Sequence, residues 1–119
     1  MRITNVNSVA AWRAYIGLKG GNEMADFKVS EVIDGDTFKV QNGWKWDNKT
    51  GDTVRPTGYN TPEENERGYE EAKRRLSNLI LNKIVDIKSA KTIDDYGRLI
   101  ADVYCNGRNL ADYFSEYKI

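Results

Sequence analysis

The chain has 119 residues, with 18 Lys+Arg balanced by 18 Asp+Glu, one cysteine and no histidine. That length suits a single domain with one modest core, which 39% hydrophobic residues can fill. The composition excludes Ser-His-Asp and Cys-His catalysis, a histidine-ligated zinc and an intrachain disulfide, and zero net charge argues against a protein that coats nucleic acid through a basic surface.

Residues 1–24 read as an appendage, a short helix or arm. Asn7 or Ser8 would cap a helix with Val9, Trp12 and Ile16 on one face, Gly17 would stop it, and Gly20, Gly21 and Asn22 break the chain. Arg2, Arg13 and Lys19 outweigh Glu23 here. The stretch is too polar for a signal-peptide core, and no run approaches the ~18 apolar residues of a membrane span. These features favour a cytoplasmic chain and leave a secreted mature form open; the chain is expected to be off the membrane and monomeric, with its domain over residues 25–119.

From Phe27 the pattern turns strand-like. Phe27 and Val29 alternate, Asp34, Gly35 and Asp36 turn the chain, and Phe38 and Val40 alternate again. Asn42-Gly43 signals a hairpin or a bulge. Trp44 and Trp46 beyond it either stack bases or form one face of a hairpin. Residues 47–52 read as a loop. Thr53, Val54 and Arg55 are extended before Pro56, whose missing N–H predicts an edge or a bulge.

A helix is predicted over residues 66–82, with Tyr69, Ala72, Leu76, Leu79 and Ile80 on its inner face. Lys73, Arg74 and Arg75 form a solvated face beside Glu70 and Glu71. Strands follow over residues 84–88 and 99–104, with residues 94–97 turning between them. After the Asn106-Gly107 turn, Asn109 caps a short helix that directs Leu110, Tyr113, Phe114 and Tyr117 inward. Three strands, a helix, two strands and a helix match a mainly β five-stranded Greek-key barrel of the OB type, with a helix after strand 3 and a short C-terminal helix.

Three clusters place acids or arginines at strand ends, where function usually sits. They are Asp34 with Asp36 and Thr37, Arg55 with residues 58–63, and Asp94 with residues 95–98. Taken singly, each is an ordinary turn or helix start. Together the phrases "VIDGDTFKV", "VRPTGYNTPE", "GYEEAKRRL" and "DDYGRLIADVYCNGRNLAD" resemble the staphylococcal nuclease (thermonuclease) family over most of the chain from Phe27 to Phe114.

The resemblance implies a calcium-dependent hydrolase acting on single-stranded DNA or RNA. It implies calcium held by Asp36, Asn60 and the Thr61 carbonyl, Glu63 as general base, Arg55 and Arg98 gripping the phosphate, and Tyr96 bonding a terminal phosphate. These roles suit the residue types. Guanidinium forks stabilise charge developing on phosphate oxygens, and calcium takes oxygen ligands without histidine. Asn60 stands where the family carries a carboxylate, so weaker calcium binding is expected, with Asp34, or Glu63 through a water, offsetting part of the loss. Asp95 replaces a lysine and removes a positive charge beside the tyrosine. A catalytically weak or inactive module that binds nucleic acid or a protein partner is the alternative. Against it, a pure binder has no need to keep Arg55, Glu63 and Arg98 together.

Overall fold

A computed structural model describes residues 25–119; the expected helix or arm of residues 1–24 lies outside the described residues. The strands are β1 (Ala25–Asp34), β2 (Thr37–Trp46), β3 (Lys49–Pro56), β4 (Ile84–Ile93), β5 (Leu99–Cys105) and the short β6 (Arg108–Asn109). One helix, α1 (Tyr69–Ile80), lies between β3 and β4, and two 3-10 turns, Leu110–Tyr113 and Ser115–Tyr117, follow β6. The sheet order is β3-β2-β1-β4-β5-β6, and a parallel pairing of β3 with β5 closes the first five strands into a barrel. This is the expected mainly β, OB-type architecture.

Period-two patterning builds the interior. On β5, Leu99, Ala101, Val103 and Cys105 are buried while Ile100, Asp102 and Tyr104 stand on the outer face. Val29, Phe38, Val54, Ile87 and Leu99 are fully buried and meet in one core. Helix α1 packs against β1 and buries Ala72, Leu76 and Ile80. Leu110 and Phe114 from the first 3-10 turn and its end join the same core.

Several local expectations change. Asn42 and Gly43 are a bulge inside β2, both at positive φ (67° and 71°), where the β2–β3 register jumps between Lys39 and Trp44. The hairpin turn is Asp47-Asn48, also left-handed at 52° and 63°, so residues 49–52 belong to β3 and not to a loop. The bulge re-aims the strand so that Trp44 is 3% exposed, with Nε1–H donating to the Thr53 carbonyl at 2.9 Å. Its ring lies over Gly51, where a Cβ would stand 2.6 Å from the ring. Trp44 therefore packs, and Trp46 packs against the same core.

Pro56 is on neither an edge nor a bulge, because β3 has β2 on one side and β5 on the other. It is the last residue of the strand. Thr57 N–H donates to the Ala101 carbonyl, and the alternation of backbone groups turns the Pro56 nitrogen away from β5, beyond the last β2 partner at Val54. No ladder bond is lost.

The helix is shorter than the expected 66–82. Asn65 and Gly68 are left-handed (78° and 92°), and the Glu66 carboxylate accepts from the Glu63 N–H, so residues 63–68 form turns. Asn82, also left-handed at 64°, ends the helix, and its N–H donates to the Val29 carbonyl of β1. Arg75 leaves the expected solvated face. Its Nη1 donates to Glu116 at 2.6 Å, its Nη2 to the Tyr113 carbonyl at 2.7 Å, and its guanidinium lies 4.7 Å over the Phe114 ring. Asn109 caps as expected, its Oδ1 accepting from Ala111 N–H at 2.9 Å, but the element it starts is 3-10.

Leu76 is fully buried where α1 meets the barrel core. Leu76→Ala is expected to cost about 2–5 kcal/mol of unfolding free energy in a urea titration. Arg74→Ala, on the exposed face, should stay within about 0.5 kcal/mol of the parent.

Candidate active site

Barrel closure gathers the three chemistry-bearing segments at one rim. The β1–β2 turn precedes β2, and β3 runs antiparallel to β2, so its exit returns to that turn. The parallel register Val54↔Leu99 sets the start of β5, and the turn before it, beside the same exit. Tyr59 then pins the segment after β3. Its ring is fully buried and stacked on Phe114 (centroids 4.7 Å apart, planes at 8°), and its hydroxyl donates to the Gly35 carbonyl at 2.9 Å. Burial pushes the Tyr59 hydroxyl far up from its ordinary value, so it stays a donor. Gly35 is required by close approach, since a Cβ there would stand 2.7 Å from Thr61 Oγ1 and 2.8 Å from Ala72 Cβ. Thr61 Oγ1 is buried without a hydrogen-bond partner among the described residues.

Asp36 is 7% exposed and lies at the centre. Its Oδ2 accepts from Thr61 N–H at 3.0 Å and from Arg55 Nη2 at 3.4 Å, and its Oδ1 accepts from Thr37 Oγ1 at 3.3 Å. Arg55 also donates from Nη2 to Asn60 Oδ1 at 2.7 Å and from Nη1 to the Pro56 carbonyl at 3.2 Å. Arg98 reaches the same network through Nη1 and Thr37 Oγ1 at 3.4 Å, and its guanidinium lies 5.3 Å from the Tyr96 ring. The structure thus brings Asp36, Arg55, Asn60, Thr61 and Arg98 into one connected set. Tyr96 is attached at its margin and is 84% exposed. Glu63 is exposed, two residues beyond Thr61, and is tied through its backbone: its N–H donates to Glu66 Oε1 at 2.7 Å and its carbonyl accepts from Glu66 N–H at 2.9 Å.

Asp94 is the residue that sequence reasoning left without a role. Its Oδ2 accepts from Arg98 Nε at 2.7 Å, and its Oδ1 accepts from the Tyr96 and Arg98 N–H groups at 3.0 and 2.9 Å. Burial pushes the carboxyl up, but the hydrogen bonds from Arg98 and Tyr96 outweigh it and hold Asp94 below its ordinary range. An aspartate four residues before an arginine across a Tyr-Gly turn was the available signal.

Asp34 behaves oppositely. Burial first, then the neighbouring Asp36 carboxylate, raise it from its ordinary 3.8 to about 6. Asp36, Asn60 Oδ1 and the Thr61 carbonyl are an all-oxygen donor set that fits a hard cation such as calcium. It carries little charge. Among the described residues no group of three or more His, Cys, Asp or Glu side chains is placed to hold a metal ion.

A model of the family described as staphylococcal nuclease homologue matches residues 53–115, more than half of the chain. The chain belongs to the staphylococcal nuclease homologue family. No curated protein matches it. Membership sets the general class, a nuclease-type domain whose family acts on nucleic acid. The matched span holds Arg55, Asn60, Thr61, Glu63, Tyr96 and Arg98 but not Asp36. In the staphylococcal nuclease-like barrel, the Tyr59 and Thr61 hydrogen bonds join the earlier turn to that span. No helix among the described residues is long and apolar enough to cross a membrane.

The raised Asp34 value has a definite linkage. The folded chain favours the protonated carboxyl, so this contribution to stability is complete below 3.8 and is lost as pH rises through about 6. Asp34→Asn is expected to match the parent below 3.8 and to be the more stable of the two above about 6. Urea unfolding across that range checks it, and a difference independent of pH would contradict it.

Proposed function

We propose that the chain is a calcium-dependent nuclease that hydrolyses phosphodiester bonds of single-stranded DNA or RNA by attack of water. The observation that carries this reading is the pair Arg55 and Arg98, joined through Asp36 and Thr37 on one barrel rim. Two permanently charged, planar donors converging there match the equatorial oxygens of a phosphate under attack, where charge develops. Asp94 holds Arg98, and the Pro56 carbonyl and Asn60 hold Arg55, so little reorientation is left for the reaction itself.

In this reading the Glu63 carboxylate takes a proton from the attacking water. The water oxygen bonds to phosphorus as the opposite bond to the leaving sugar oxygen breaks, and that oxygen takes a proton from solvent. Calcium, held by Asp36 and the Thr61 carbonyl, would add positive charge beside the phosphate. Exposed Tyr96, next to Arg98, offers a hydroxyl to a phosphate at the rim. The second reading is a nucleic-acid-binding module without turnover. The exposure of Glu63, tied to the fold only through its backbone, favours it.

Hydrolysis of denatured DNA, with calcium and with chelator, separates the two. The parent should cleave only with calcium, and Glu63→Gln should lose about 10²–10⁴-fold in rate. No cleavage by either chain assigns the binding module, whereas equal calcium-dependent rates would remove Glu63 as the base. Binding should also depend weakly on salt. Two arginines meeting at most two phosphates of a single strand give a slope of log K against log salt no steeper than roughly −1.4. A steep slope in a fluorescence titration would require a basic surface beyond Arg55 and Arg98.

A further inference from the structure

We propose that Asn60 serves to hold Arg55 and not to ligate calcium: it is a positioning residue whose amide oxygen fixes the phosphate-gripping guanidinium. This refines the proposed function and rests on it for the roles of Arg55 and calcium. The shortest hydrogen bond Arg55 makes is from Nη2 to Asn60 Oδ1, at 2.7 Å. The same nitrogen reaches Asp36 Oδ2 at 3.4 Å. One Nη2 therefore takes the Asn60 oxygen and one of the two Asp36 oxygens, and a cation using the same two must displace it.

The two arginines differ in a way that explains the amide. Arg98 has a carboxylate of its own, Asp94, at 2.7 Å. Arg55 has only Asp36, which also accepts from Thr61 N–H and Thr37 Oγ1. The Pro56 carbonyl takes Nη1 at 3.2 Å, and Asn60 gives Nη2 its close acceptor, an oxygen that orients the fork without adding charge. The Asp36–Arg55 pair is then electrically neutral by itself, and the guanidinium keeps its charge for an incoming phosphate. A carboxylate at position 60 would hold Arg55 equally well but would compete with phosphate for it. Cation binding is left to Asp36, the Thr61 carbonyl and water.

A calorimetric double-mutant cycle on the full chain tests this, with calcium as the titrant and no nucleotide. Arg55→Gln should tighten calcium binding by roughly fivefold or more, the size of an ordinary coupling between sites. Asn60→Ala should not weaken calcium binding in the parent, and should leave it unchanged in the Arg55→Gln background. Weakening in both backgrounds would make Asn60 a ligand and overturn the proposal. In the calcium-free chain, the NMR signals of the Arg55 guanidinium should be ordered in the parent and averaged in Asn60→Ala, with inorganic phosphate binding weakened. An Arg55 signal indifferent to Asn60→Ala would overturn the holding role. If no variant binds calcium, the calcium reading fails by itself, and the guanidinium signals still decide what Asn60 does.

Discussion

The parallel pairing of β3 with β5 is the contact on which the rest of this molecule depends. Without Val54 beside Leu99, the five strands would be an open sheet, and the exit of β3 would not meet the turn that leads into β5. Closure removes two sheet edges and seals the core. It also sets Arg55, two residues before the Thr57–Ala101 hydrogen bond, on the same rim as Arg98. Tyr59 and Gly35 complete the arrangement: the hydroxyl of one caps the carbonyl of the other, and the missing Cβ lets the Asp34–Asp36 turn sit against Thr61 and α1. The fold thus brings together residues as far apart in the chain as Asp36 and Arg98.

The electrostatics of that rim are local. Each arginine is paired with acceptors from its own neighbourhood, in keeping with the chain's zero net charge. The two aspartates of the first turn are not equivalent. Asp36 is engaged by Thr61, Thr37 and Arg55, whereas Asp34, half-buried and beside Asp36, resists ionisation. Burial first, and then the Asp36 carboxylate two positions away, raise Asp34 above its ordinary value.

Much of this was legible beforehand. Alternating Phe27, Val29, Phe38 and Val40, the 3.6-residue spacing through Ala72, Leu76 and Ile80, and the turn at residues 94–97 marked the elements and most of the core. What stayed open or was misread shares one physical origin. Asn42-Gly43 suits a hairpin or a bulge, and only the β3 partner, starting after the left-handed Asp47-Asn48 turn, decides for the bulge. Pro56 looks like an edge because its missing donor is visible in sequence, whereas the direction in which that donor is missing depends on β5. Glu66 belongs to the helical pattern, yet its carboxylate is taken by Glu63 N–H and the helix begins at Tyr69.

By itself the sequence determined the barrel type, the family and a candidate set of acids and arginines, because periodicity, turn residues and motif spacing are properties of neighbours along the chain. It did not determine which oxygen each guanidinium takes. Asp94 on Arg98, Asn60 on Arg55 and the Tyr59 anchor are distances of 2.7–2.9 Å, and the Tyr59 contact exists only once the segment after β3 and the first turn share a rim. A hydrogen bond depends on tenths of an ångström and on angle, and the closed barrel sets both.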